Sequence, residues 1–361
     1  MLAGCGGGDN GGGDGDAGGG DSEETFEFTL ATGATAGTPN EAVQDWFLDR
    51  VEEETDGRIT FERTATEALC KMQEVVDCVR DGRAQIGVTV PDYTPQYFPS
   101  TSMVSIPFLS QNSAAVTQTI HEIHTEFEPA QQIMTNNGLF HISTWPAGRF
   151  LFGSNEPIES VGDLAGWQAR SSGPIIQQVL SDAGVNVVAT TAGETYEAVQ
   201  RGVIEGVGGA IDFPVNYRLM ELLPYWTDPG VGQYSVFGMW FSREAYDSLP
   251  DDLKEIVNQV TEELNSGAGI EAFNEVAAGQ CQEMLDSPDV EELDRWSEEA
   301  TEEWQSQVGE QGKQMWVDLA TEQGLENAQE VLDRYVAGLE EHSDMEYTDA
   351  TIECVDTFAS E

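Results

Sequence analysis

Apolar residues recur along this chain in a repeating order: a short extended run, a stripe at helical spacing, then another extended run. TFEFTLAT predicts an opening strand, Gly33–Gly37 a loop, and Thr38-Pro39-Asn40 the cap of a helix carrying Val43, Phe47 and Val51 on one face. GRITFERT predicts the next strand and Val75–Asp81 a helix, and after the Asp81-Gly82 turn AQIGVTV predicts a third strand. The loop PDYTPQYFPS and the run SMVSIPFL follow, then a single long helix over Ser113–Asn137, and then GLFHISTWP crossing toward a second lobe.

The same alternation returns further on. GWQAR is extended, Gly173–Gly184 is helical with Ser172 as N-cap and Pro174 in the first turn, and VNVVAT is an apolar strand. TAGETYEAVQRG gives an amphipathic helix ending at Gly202, before the strand VIEGVGG. Two such βαβαβ units predict parallel sheets, with ligands held beyond the carboxyl ends of the strands. SVFGMWFS adds a strand and Pro250 opens a helix that runs well beyond Gly267. From about residue 265 the chain reads as polar helix, with Trp296, Trp304 and Trp316 at intervals suited to helix packing, and past Glu340 it reads as a loosely held tail. The organisation expected is a tether over residues 1–24, a first lobe over 25–145, a second over 146–250, and helices over 251–361 packing across both.

Charge narrows the partners. Sixty-six acidic residues stand against 15 basic ones, a formal charge of -51, which argues against nucleic acid and against anionic membrane contact through charge. Acidity spread along the whole chain with few lysines looks like adaptation to high salt, so the protein is expected to lose stability as salt is removed. Leu2-Ala3-Gly4-Cys5 reads as a lipoprotein cleavage box with Cys5 lipidated, and the glycine-aspartate run after it as a flexible tether to an outer surface.

Four further cysteines, Cys70, Cys78, Cys281 and Cys354, permit three pairings in an oxidising exterior, with free buried thiols as the alternative. Cys70 reaches Cys78 only if the helix starts after Cys70, since eight helical residues rise about 12 Å. Cys281 with Cys354 would staple the tail to an earlier helix. No CxxC or nearby histidine accompanies the cysteines, and no HExxH pattern or third ligand accompanies His121 and His124, so no metal is expected and both histidines are predicted to face solvent.

Arg170 is the residue with a chemical signature. It falls where a strand gives way to a helix, so its guanidinium shares space with unpaired helix N–H groups, an arrangement that attracts an anion. Between Arg83 and Arg201 the only lysine or arginine residues are Arg149 and Arg170, both in apolar-aromatic surroundings. A buried guanidinium needs a partner, either an internal carboxylate or an anionic ligand. No G-x-S-x-G elbow, phosphate loop or G-x-G-x-x-G run is present to favour an enzyme.

The order Asp163, Leu164, Gly166, Arg170, then Ala183-Gly184-Val185, then Glu194, Tyr196, Ala198, Val199, Gln200, Gly202, Val203, Ile204, Glu205 and Gly206 resembles the binding core of the DctP family, the solute receptors of tripartite ATP-independent periplasmic (TRAP) transporters. The resemblance, extending over most of 26–260, implies an α/β, two-lobed periplasmic-binding-protein-like fold with mixed, mostly parallel sheets and a long C-terminal helix spanning the lobes. It implies a cofactor-free, monomeric receptor, not an enzyme, in which Arg170 pairs with the carboxylate of an organic acid for delivery to TRAP membrane subunits. Arg149 would be a second anion contact beside Trp145 at the hinge, and Tyr93 a wall of the cleft. Gly209 stands where many members carry an asparagine, leaving space for a larger ligand or for Asp212 and Phe213; Phe213, Tyr234 and Phe237 either line the pocket or belong to the plain core. The alternatives are a receptor for an ATP-driven importer and a secreted hydrolase or isomerase using the same cleft.

Overall fold

The computed structural model of the protein describes residues 24–360. Cys5 and nearly all of the expected tether lie outside the described residues. Eleven strands form two sheets. They are β1 (Phe26–Thr32), β2 (Ile59–Arg63), β3 (Ile86–Thr89), β4 (Leu139–Pro146), β5 (Leu151–Ser154), β6 (Gln168–Arg170), β7 (Asn186–Val188), β8 (Gly206–Gly209), β9 (Tyr225–Asp228), β10 (Val236–Ser242) and β11 (Glu292–Arg295).

The first sheet has the order β2-β1-β3-β10-β4, with β1, β2 and β3 parallel and β10 antiparallel to both its neighbours. The second has the order β11-β9-β5-β8-β6-β7, parallel from β8 to β7 and antiparallel around β5. β10 falls inside the span 146–250 expected for the second lobe, yet it pairs with β3 and β4 and completes the first sheet. The polar-helix reading beyond residue 265 likewise missed β11, which pairs with β9.

Local signals explain most element starts. Thr38 accepts the Glu41 N–H at 3.2 Å and Pro39 sits in the first turn, so the helix Pro39–Glu54 begins there and buries Val43, Phe47 and Val51. The single helix expected over Ser113–Asn137 is two, Ser113–Glu126 and Glu128–Asn136, because Pro129 fits only the first turn of a new helix and Phe127 turns extended before it. In the second unit the residue preceding the helix Pro174–Asp182 is Gly173 rather than Ser172, at a φ of 89° that favours glycine.

Two chain segments cross between the lobes side by side. Phe150 donates its N–H to the Gly232 carbonyl at 2.9 Å and Tyr234 to the Gly148 carbonyl at 3.2 Å, while Arg149 and Gln233 pair across the ribbon. The helices Asp251–Glu263 and Gly269–Asp286, joined through a π turn at Leu264–Ala268, pack on the helix Pro39–Glu54 of the first lobe and reach the second-lobe segment Asp212–Val215.

The tail is better held than its composition suggests. Asp349 caps the helix Ala350–Phe358, Cys354 is bonded to Cys281 across 5.4 Å between Cα atoms, and Cys70 is bonded to Cys78, with the helix Val75–Arg80 starting after Cys70. The Cys281–Cys354 bridge closes a separation of 73 residues, for which chain-entropy arguments give about 4 kcal/mol. Cys354→Ser should therefore lower the unfolding free energy by roughly that amount in denaturant titrations. Equal stability of variant and parent would show that the staple contributes nothing.

His121 and His124 are buried rather than exposed. His124 donates Nδ1–H to the Ile120 carbonyl at 2.9 Å, meets Ser100 through Nε2, and stacks on His141. No metal-holding group of three or more His, Cys, Asp or Glu occurs among the described residues.

Candidate ligand-binding site

Arg170 ends β6 and lies at the switch point of the second sheet, between β8 and β7, where open parallel sheets bind their ligands. Its side chain is 1% exposed. Nε donates to the Thr190 carbonyl at 3.1 Å, Nη1 to the Gly208 carbonyl at 3.4 Å, and Nη2 to the Tyr93 hydroxyl at 3.0 Å. The guanidinium also sits 4.8 Å from the Phe213 ring centre. All these partners are neutral, and among the described residues no carboxylate lies within 4.0 Å of it. Tyr234 is a further hydrogen-bond partner of the guanidinium, whose planar fork has the geometry that matches a carboxylate.

Asp212 is the nearby carboxylate that stops short of pairing. It is buried, its Oδ1 has no partner among the described residues, and burial pushes its pKa up to about 7 against the pull of Arg170. A carboxyl held protonated by the fold stabilises the folded state at low pH and loses that contribution as pH rises from its unfolded value, near 3.8, through about 7. The unliganded protein should therefore lose stability across that window, and Asp212→Asn should flatten the loss; identical melting-temperature profiles in both proteins would sink the assignment.

Of the other residues expected here, Tyr234 is buried close enough to Arg170 to respond to its charge, and Phe213 lies under the guanidinium. A Cβ on Gly209 would come within 2.5 Å of the Phe213 ring, so that ring, not open space, fills the place an asparagine would take. Tyr217 was missed by the sequence reading: its hydroxyl meets Thr35 at 3.2 Å and lies close enough to Asp212 and Arg170 to respond to both.

Two expectations need correction. Arg149 does not offer its guanidinium to the cleft: Nε donates to Asp349 at 2.7 Å and Nη1 to Asp228 at 3.5 Å, both carboxylates being buried with it. It ties the crossing ribbon to the tail. Trp145 is wholly buried, donates its indole N–H to Asn40 at 3.1 Å and stacks with Phe237, which places both rings in the first-lobe core.

Beside Tyr93 a cleft of about 430 Å³ opens between the lobes, walled by Asp92 and Tyr93 from the first and by Ser171, Ser172 and Thr190 from the second. Two α/β lobes joined by a crossing ribbon, with a buried guanidinium at the switch point, define a solute receptor. The sequence profile of the bacterial extracellular solute-binding protein family 7, DctP, matches residues 30–318, and the chain belongs to that family. Its members are substrate-binding receptors that work outside the cytoplasm. Among the described residues no helix is long and apolar enough to cross a membrane.

Relatives are distant. The ectoine-binding periplasmic protein TeaA of Halomonas elongata is 23% identical over 305 residues, 82% of this chain and 86% of that protein. The monocarboxylate 2-oxoacid-binding periplasmic protein of Nostoc sp. is 28% identical over 224 residues, 60% of each chain. The match to the uncharacterized protein y4mM of Sinorhizobium fredii covers 55% of this chain and 36% of that one, so the chain spans about a third of that relative. In structure, a marine metagenome TRAP solute binding protein specific for aromatic acid ligands superposes with a TM-score of 0.79 at 22% identity, covering 89% of this chain and 100% of that chain. These likenesses establish the two-lobed fold.

Proposed function

We propose that the protein is an extracytoplasmic receptor that closes on a small organic acid, holds its carboxylate on Arg170, and delivers it to the membrane subunits of a TRAP-type transporter. The observation that carries the reading is the guanidinium of Arg170, buried against neutral groups with no carboxylate within ion-pair distance among the described residues. Burying such a charge without an anion is costly, and a carboxylate arriving between the lobes supplies one. The 2-oxoacid-binding relative agrees with this chemistry. Closure is a hinge motion at the paired crossing segments, whose backbone hydrogen bonds hold the two strands together while the lobes rotate.

The test is a thermal-shift screen of organic acids in molar salt. A ligand at a hundred times its Kd adds about 2.7 kcal/mol to the folded state, enough to be read directly as a raised melting temperature. Stabilisation that is equal with uncharged analogues of the acids would overturn the carboxylate assignment.

A further inference from the structure

The interlobe cleft has a second pole, beside Arg170, which does not itself line the cleft but bonds its wall through Tyr93. Asp92 follows β3 on the first lobe and lines the cleft beside Tyr93, the residue whose hydroxyl accepts from Arg170. The Asp92 side chain is 8% exposed. Its Oδ2 accepts the Ser235 hydroxyl at 2.7 Å, whereas its Oδ1 is buried with no partner among the described residues. Ser171, on the opposite wall, likewise has a buried hydroxyl with no partner among the described residues. A Cβ at Gly173 would come within 3.0 Å of Asp92 Oδ2, so the carboxylate is pressed against the second lobe when the lobes are together.

The lining residues carry two carboxylates, Asp92 and Glu194, and no basic side chain. Glu194 is already committed, its Oε2 accepting from the Thr190 and Thr191 hydroxyls and from the Thr191 N–H. Asp92 is not. Resting on the carboxylate reading above, we propose that Asp92 is a specificity-determining residue that takes an ammonium or other N–H donor of the ligand, making the preferred cargo a zwitterion whose acid group lies on Arg170.

Three physical points support this. An unpartnered carboxylate oxygen removed from water is destabilising, and a ligand nitrogen satisfies it only in the closed state, so closing on an empty cleft is disfavoured. Burial raises the Asp92 pKa to about 6, opposed by the Ser235 hydrogen bond, which is what a buried acid without a cation shows. The lining of the cleft is itself acidic, with Asp92 and Glu194 and no basic side chain, which favours a ligand nitrogen there over a second acid group.

The experiment compares matched pairs in molar salt by calorimetry and thermal shift: free proline with cyclopentanecarboxylate, γ-aminobutyrate with butyrate, and phenylalanine with phenylpropionate. The amine-bearing member of at least one pair should bind the parent chain tenfold or more tightly than its partner, and Asp92→Asn should shrink that selectivity by tenfold or more. Equal or better binding of the amine-free members to the parent chain overturns the proposal without reference to any variant, and so does an unchanged ratio in a folded Asp92→Asn protein. The carboxylate reading is judged separately. Loss of both members of a pair in Arg170→Ala upholds it whatever Asp92 does, whereas binding that survives that change, or no stabilisation by any member, overturns it and this inference together.

Discussion

Arg170→Ala should fold and melt cooperatively but gain no thermal stability from any carboxylate that stabilises the parent protein. Truncating one partner of a buried, hydrogen-bonded charge pair costs about 2–5 kcal/mol of binding, so affinity should fall by roughly 30-fold to several thousandfold. The fold tolerates the change because Arg170 has no internal ion pair to break. Two of its acceptors, the Thr190 carbonyl and the Tyr93 hydroxyl, belong to residues on the cleft wall, where water can enter the space left behind. Arg170→Lys keeps the charge without the planar fork and should recover only part of the affinity.

Arg149→Ala should behave in the opposite way. It strips Asp349 and Asp228 of their buried cation, a loss of about 3–5 kcal/mol in folding stability. Ligand binding should change far less. Calorimetric titration of both variants separates the two arginines: a stable Arg149→Ala protein with impaired binding, or an Arg170→Ala protein with unimpaired binding, would contradict these assignments.

The contrast between those two residues shows what was legible in the sequence. Both are lone arginines in apolar-aromatic runs, and local pattern alone cannot tell a guanidinium paired inside the protein from one awaiting a ligand. Arg170 could be placed because the strand-to-helix junction and the spacing around it are local features. Arg149 could not, since its partners lie 79 and 200 residues further along the chain. The same reason hid β10, whose apolar run was recognised but whose return to the first sheet depends on pairing with β3 and β4. His121 and His124 were read as exposed because three-residue spacing marks a helix face without saying which face; packing of their helix on β4 brings His141 against them. Asp92 gave no signal, because one aspartate among 66 acidic residues is distinguished only by its burial between the lobes.

Melting temperature should climb steeply with salt and then flatten. The few basic side chains are already shared among acids: Arg50 meets Glu53, Glu54 and Glu263, and Arg63 meets Asp45, Asp49 and Glu52. Exposed pairs of this kind contribute about 0–1 kcal/mol each, too little to offset a net charge of -51. What remains is repulsion between carboxylates crowded onto a compact surface, which the unfolded chain relieves by spreading them apart. Raising ionic strength from about 0.1 M to about 1 M shortens the Debye length from about 10 Å to about 3 Å, less than the usual spacing of surface charges. If folding gains about 4 kcal/mol from that screening, the melting temperature rises by roughly 5 °C for a chain of this size. Sodium and potassium chloride should act alike at equal ionic strength, and most of the gain should be complete near about 1 M. Sulfate should add a further, non-saturating rise through its exclusion from the protein surface. A profile that is flat in chloride but rises in sulfate would show that exclusion rather than charge screening governs the salt response, and that the acidic surface is borne without strain in dilute buffer.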